Sequence, residues 1–213
     1  MKTIHTTLNT LAAFLILLAF PSMSWAVPAC SFTLDTDSLE IRWTAFKTTQ
    51  KIGVSGKITE VNLSGKAVMT DTFEAFLQQL DAKISLNGAG QSNSENPGRD
   101  QTLYEHFFIH FADAGAVTGQ FQKIKGDENA GELQLSLGMN QKKLSIPMKY
   151  TRNAKGLLEI KGVIDLNDFN LSKALADLHQ ACESLHKGPD GKSKTWPLVE
   201  IKLSAMISKK CDS

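Results

Sequence analysis

The chain has no apolar run long enough to cross a bilayer. Its longest, LAAFLILLAF at Leu11–Phe20, has ten residues where a spanning helix needs about twenty. It has no excess of either charge: the formal net charge is +1 and the lysines are scattered singly, which argues against the basic stripe of a nucleic-acid binder. Catalytic signatures are missing too. There is no Gly-x-Ser-x-Gly elbow, no His-Glu-x-x-His, no Cys-x-x-Cys and no Gly-x-x-x-x-Gly-Lys, so the reading is not an enzyme and needs no cofactor. Gly88-Ala89-Gly90 opens like a dinucleotide fingerprint, but Asn93 stands where the third glycine belongs and no strand-helix-strand unit surrounds it. Cysteine is scarce. The three, Cys30, Cys182 and Cys211, allow at most one intramolecular bridge and leave one thiol over.

What is present begins with a leader. Lys2 supplies a positive start, Leu11–Phe20 an apolar core, Pro21 a helix breaker and Ser24-Trp25-Ala26 small residues at minus three and minus one. This is a secretory signal peptide cut after Ala26. The rival is a lipoprotein signal ending in VPAC with Cys30 lipidated, against which Pro28 and the distance from Phe20 to Cys30 both count. Residues 27–213 then form one domain of the periplasm or the secreted space, with no membrane span. At 42% hydrophobic and 21% charged residues, the composition is that of a globular protein.

Most of that domain alternates apolar with polar residues at period two, the mark of strands with one buried face. Leu39, Ile41 and Trp43 alternate with Glu40, Arg42 and Thr44; Ala82, Ile84 and Leu86 with Lys83, Ser85 and Asn87; Val117, Gly119 and Phe121 with Thr118, Gln120 and Gln122. Leu133–Met139, Leu144–Tyr150, Leu158–Ile164 and Val199–Ala205 repeat the pattern, and Val54–Leu63 makes an eighth strand. Short connections such as Asn153–Gly156 suit hairpins, so neighbours are antiparallel. Eight such strands can close into a barrel whose interior is filled by side chains or holds one small ligand. An open two-sheet sandwich is the alternative. Two segments have a helical period: Thr72–Leu80, with Phe73, Phe76, Leu77 and Leu80 on one face, and Leu171–His186, with Leu171, Leu175, Leu178, Cys182 and Leu185 on another.

The opening SFTLDTDSLEIRW, the strand GVSGKITEV, the GRD of Gly98–Asp100 followed by LYEHFF, and the pair LSIPMKY and GVIDLNDF together resemble the secreted YceI-like proteins across nearly the whole of residues 27–213. That resemblance implies a mainly β, lipocalin-like antiparallel barrel holding a long-chain amphipathic lipid, a polyisoprenoid or fatty acid derivative. The stretch ACESLHKG departs from the pattern as a longer insertion before the last strand. A homodimer is compatible with the sequence.

A lipid with a polar head needs an apolar tunnel and a few polar groups at its mouth. The tunnel wall is expected from Trp43, Phe107, Phe108, Phe121, Leu135, Ile146 and Met148. Arg99 and Asp100, set at a strand end by the turn Asn96-Pro97-Gly98, are the candidates for the mouth, since a guanidinium grips a phosphate or carboxylate with two parallel hydrogen bonds. The plainer reading is that the pair braces its own loop. His179, Cys182 and His186, spaced three and four apart on one helix, are the competing candidates for a metal or haem site. A structural barrel without a ligand is the third reading. His106 and His110 lie in a run that reads as extended, which sets them only loosely on one face. In a closed even-stranded barrel the first strand begins beside the end of the last, so Cys30 is expected to bridge Cys211, with Cys182 to Cys211 as the alternative.

Overall fold

The computed structural model describes residues 30–70, 72–88 and 90–211. The expected signal peptide, with its expected cleavage after Ala26, lies outside the described residues. In chain order the elements are β1 (Cys30–Lys47), β2 (Ile52–Ile58), β3 (Asn62–Ser64), β4 (Ala67–Thr70), α1 (Phe73–Gln79), β5 (Asp81–Ser85), β6 (Ser92–Asn93), α2 (Pro97–His106), β7 (Ala116–Gly126), β8 (Ala130–Met139), β9 (Lys142–Arg152), β10 (Leu157–Asp165), α3 (Ser172–Ala181) and β11 (Thr195–Cys211). Short 3-10 turns at Phe108–His110, Asp113–Gly115, Leu166–Phe169 and Ser184–His186 link them.

The eleven strands form one antiparallel sheet in the order β3-β5-β7-β8-β9-β10-β11-β1-β2-β6, with β4 added beside the start of β1. The sheet curls into a half-barrel. Its ends, β3 and β6, are not hydrogen-bonded neighbours, so the expected closed eight-stranded barrel is corrected on both counts. The eight long strands are those that the alternation marks; the three extra ones have two to four residues, too few to show a period. The expected strand Val54–Leu63 is cut in two. Thr59 donates its amide to Gln91 O (3.1 Å) and its hydroxyl to Gly90 O (2.9 Å), which ends the run beside β6, and Asn62–Ser64 crosses to β5. Gly65 then turns the chain with φ +72, where an added Cβ would meet Gln79 O at 1.8 Å; only glycine fits.

The curl has a local cause in β1. Its pairing with β11 shifts register between Asp35 and Glu40, a bulge that bends the strand. Ser38 stabilises the bend by accepting from Met206 N (2.8 Å) and donating to Asp35 O (2.7 Å). Between β8 and β9 the turn is Asn140-Gln141, both left-handed (φ 49 and 61), as a two-residue hairpin matched to strand twist requires. The Asn140 side chain accepts from Ala112 N and donates to Phe169 O, both at 2.8 Å. It thereby ties this hairpin to two of the 3-10 turns.

The two ends of the half-barrel are closed differently. At the end where β1 begins, α1 lays Phe73, Phe76 and Leu77 against Phe32, with ring centroids 5.5–6.0 Å apart and Tyr150 at 6.1 Å from Phe73. The helix starts where the sequence says it should, because Thr72 caps it by accepting from Ala75 N (3.1 Å). At the other end α2 and α3 meet over the sheet. The chain from Asn96 to His106, expected as a turn leading into an extended run, is helical: Asn96 caps it through Arg99 N (3.0 Å) and Pro97 stands in its first turn, a pairing that favours helix initiation over a turn. Cys30 and Cys211 are cross-strand partners joined by a disulfide, and Cys182 is a buried free thiol.

Candidate functional site

Because side chains alternate across a strand, every long strand turns one set of residues into the concave face of the curl. That set encloses a cavity of about 230 Å³. Leu39, Ile41, Trp43 and Ala45 of β1, Ile58 of β2, Ala82 and Ile84 of β5, Val117, Gly119 and Phe121 of β7, Leu135, Leu137 and Met139 of β8, Met148 of β9, Ile164 of β10 and Val199, Ile201 and Leu203 of β11 line it. Leu103 of α2, Phe107, Phe108 and Phe111, and Leu175 and Leu178 of α3 roof it. The three phenylalanines pack edge to face, centroids 5.3–5.6 Å apart, an arrangement aromatic quadrupoles favour.

The lining carries no ionisable side chain, and its indole N–H groups are satisfied by protein. Trp43 Nε1 donates to Ser92 Oγ (2.9 Å) and Trp196 Nε1 to Thr48 O (2.7 Å). Thr195, also in the wall, shares its hydroxyl with two imidazoles, His179 Nδ1 (2.9 Å) and His186 Nδ1 (2.7 Å). Glycines create room for the large side chains: an added Cβ on Gly56 would lie 2.4 Å from the Trp43 ring, and one on Gly162 2.1 Å from the Met148 sulfur. Both glycines sit directly across a ladder from the residue they accommodate.

Of the residues expected at the tunnel wall, Trp43, Phe107, Phe108, Phe121, Leu135 and Met148 line the cavity. Ile146 is buried in the core beside Leu135 without reaching it. Arg99 and Asp100 are not among the lining residues. Arg99 Nη1 reaches Ser94 O at 3.5 Å and Asp100 Oδ1 accepts from Ser94 N at 2.9 Å, so both side chains brace the segment that leads into α2. Asp100 faces a separate shallow surface pocket with Asn93, Glu95 and Gln101. Arg99→Ala is accordingly expected to leave the affinity for an anionic and for a neutral long-chain probe within about twofold of wild type, by fluorescence titration. A loss of 1.5–3 kcal/mol confined to the anionic probe, roughly the worth of a hydrogen bond to a charged group, would return Arg99 to the ligand.

The histidines go elsewhere. His106 Nδ1 and His110 Nε2, brought together by the end of α2 and the 3-10 turn, both contact the Asp177 carboxylate of α3, at 3.2 and 2.7 Å. The hydrogen bond from His110, followed by that from His106, holds Asp177 below the usual carboxylate range. His179 and His186 converge on Thr195. Cys182 lies buried where α3 ends, its thiol pushed up by desolvation against the opposing pull of Lys47. Among the described residues no group of three metal-ligating side chains is placed to hold an ion. Leu185, expected on the buried stripe of that helix, is 68% exposed, because α3 stops at Ala181 and the following 3-10 turn rotates it outward.

Burial, with the Lys47 and His179 charges behind it, lowers the His186 pKa from 6.5 to about 4. The unfolded chain therefore binds a proton between pH 6.5 and 4 that the folded one refuses, and stability falls as pH drops through that window. Urea titrations at pH 7 and pH 4.5 should show the loss, and it should shrink in His186→Gln. An NMR titration placing His186 near 6.5 would contradict it.

Sequence reasoning missed Thr195 and Trp196, having begun the last strand at Val199. The available signal was a lone tryptophan among lysines, KSKTW, which lacks a period. No family model and no curated protein matches the chain. Solved structures do. A polyisoprenoid-binding domain from Saccharophagus degradans superposes with a TM-score of 0.54 at 10% identity, over 84% of this chain and 98% of that one. A YceI protein from Campylobacter jejuni reaches 0.46 at 17% identity, over 79% and 90%. The chain has the fold of the Saccharophagus degradans polyisoprenoid-binding domain.

Proposed function

We propose that this protein is a binding protein that holds one long-chain lipid, its apolar chain inside the half-barrel. The observation that carries the reading is the wall itself: side chains from nine strands and two helices surround a space with no ionisable group and with both indole N–H groups already engaged. Such a cavity offers water few partners, so it favours an apolar occupant. The wall carries no ionisable side chain, which supports binding in preference to catalysis. The solved polyisoprenoid-binding domain of the same fold makes a prenyl chain the first candidate, with a fatty acid derivative second. The leader and the Cys30–Cys211 disulfide support a periplasmic or secreted setting, where disulfides persist.

The test uses full-length protein made in a secreting host and purified without detergent. Organic extraction and mass spectrometry should recover one long apolar molecule per chain. Gly119 faces the cavity, and an added Cβ there meets only Leu135 Cδ1, at 3.3 Å. Gly119→Phe should therefore fill the space, abolish the recovered lipid and the uptake of a fluorescent prenyl or fatty-acyl probe, and leave the circular dichroism spectrum unchanged. A wild-type protein that is empty and has no affinity for either probe would overturn the reading in favour of a structural barrel.

A further inference from the structure

The end of the half-barrel opposite Cys30 carries a surface that the cavity does not explain. Lys47, the last residue of β1, is the ladder partner of Ile52 on one side and of Thr195 on the other, and its Nζ donates to Leu185 O at 3.3 Å. Ile52 and Leu185 are 49% and 68% exposed. Beside them the Trp196 ring, one face of which belongs to the cavity wall, lies under two ammonium groups: Lys51 Nζ is 4.4 Å and Lys194 Nζ 4.9 Å from its centroid. The two segments that build this rim, 47–52 and 185–196, contain five lysines and a single acid, Asp190. Asp190 is turned to Thr49 at 2.8 Å, and of the five lysines Lys187 pairs with Glu183 just outside the rim, at 3.7 Å. In a chain whose net charge is +1, this is a concentrated positive edge.

We propose that this rim docks the protein on an anionic lipid bilayer, so that the cavity is loaded and emptied through the Trp196 edge. Exposed aliphatic side chains, an indole and a ring of lysines form the combination that settles at a headgroup boundary: the apolar groups enter it, the indole sits at its level and the ammonium groups meet the phosphates. Protein partners are disfavoured by the chemistry, since specific protein interfaces are depleted in lysine. The assignment rests on the lipid-cavity reading for its purpose, while Ile52, Leu185 and the lysines that make the contact lie outside the cavity wall.

Vesicle flotation tests it. The full-length protein should float with phosphatidylcholine vesicles containing about one-third phosphatidylglycerol, should not float with pure phosphatidylcholine, and should be released by salt. Lys51→Gln/Lys194→Gln should lower the partition coefficient about fivefold for each lysine removed, and Ile52→Ser/Leu185→Ser by about tenfold. Met69, 61% exposed on β4 beside the other end of β1, is the control: Met69→Ser should bind vesicles as wild type does. Binding to neutral vesicles as strong as to anionic ones, no vesicle binding at all, or wild-type partition in both rim variants would overturn the proposal. Failure of the cavity reading looks different, because the soluble probe would then find no site in the wild type although flotation persisted. Conversely, Gly119→Phe should lose the probe and keep the vesicles.

Discussion

Phe76→Ala is expected to lower the stability by about 3–5 kcal/mol, the usual loss for an aromatic truncated in a filled core. Phe76 is fully buried, and it stacks on Phe32 at 5.5 Å and packs against Phe73 at 6.0 Å. A seven-residue helix is held by such packing because its own hydrogen bonds are too few to sustain it. The void left behind is flanked by the Phe32 and Phe73 rings, which are themselves buried and leave little room to relax into it. Phe108→Ala makes the contrast. That ring is only partly buried and already faces the cavity, so it has fewer close neighbours to lose. About 1–2 kcal/mol is expected, together with a weakened affinity for the lipid probe. Urea denaturation of the two variants measures both, and equal losses would show that the cavity is filled by side chains and that no such distinction exists.

The second large effect is expected from the disulfide. Cys30→Ala/Cys211→Ala should cost about 3–5 kcal/mol, because the bridge spans 181 residues of sequence and restricts the unfolded chain over nearly the whole domain. For a domain of this size that corresponds to a fall in Tm on the order of 10 °C. The native state is hardly altered by the loss, since Cys30 and Cys211 face each other in a ladder that continues through Ser31–Lys210 and Phe32–Lys209. Cys182, buried and with its thiol pushed up, should react with maleimide only after unfolding. Non-reducing peptide mapping decides the matter, and a peptide joining Cys182 to Cys211 would end the assignment.

The inward set was legible because it needs only parity. Leu39, Ile41 and Trp43, or Val199, Ile201 and Leu203, fall on one face whatever the rest of the chain does, and all six line the cavity. The α1 helix was legible for a similar reason, a period of 3.6 with Thr72 at its start. The α2 helix was not. Asn96-Pro97-Gly98 has the composition of a turn, and the same asparagine and proline also begin a helix; which of the two occurs depends on whether α3 is there to receive the pair of histidines on Asp177. Arg99 was misplaced with it, since a side chain at a strand end and one in a first helical turn point to different surroundings.

Local alternation and local period were enough to give the strand faces, the apolar nature of the interior and the position of α1; the pairing of Cys30 with Cys211 was expected on the premise of a closed even-stranded barrel, with Cys182 to Cys211 left open, and it is the β1–β11 ladder that brings the two together. The open edge between β3 and β6, the roof that α2 and α3 lay over the cavity, the hold of Arg99 and Asp100 on the backbone of Ser94, and the rim shared by Thr195, Trp196 and the lysines were not readable along the chain. These depend on contacts between segments distant along the chain, such as Thr59 with Gln91 and Trp196 with Thr48. A pattern read along the chain registers which face a residue takes, and carries no record of what that face will meet.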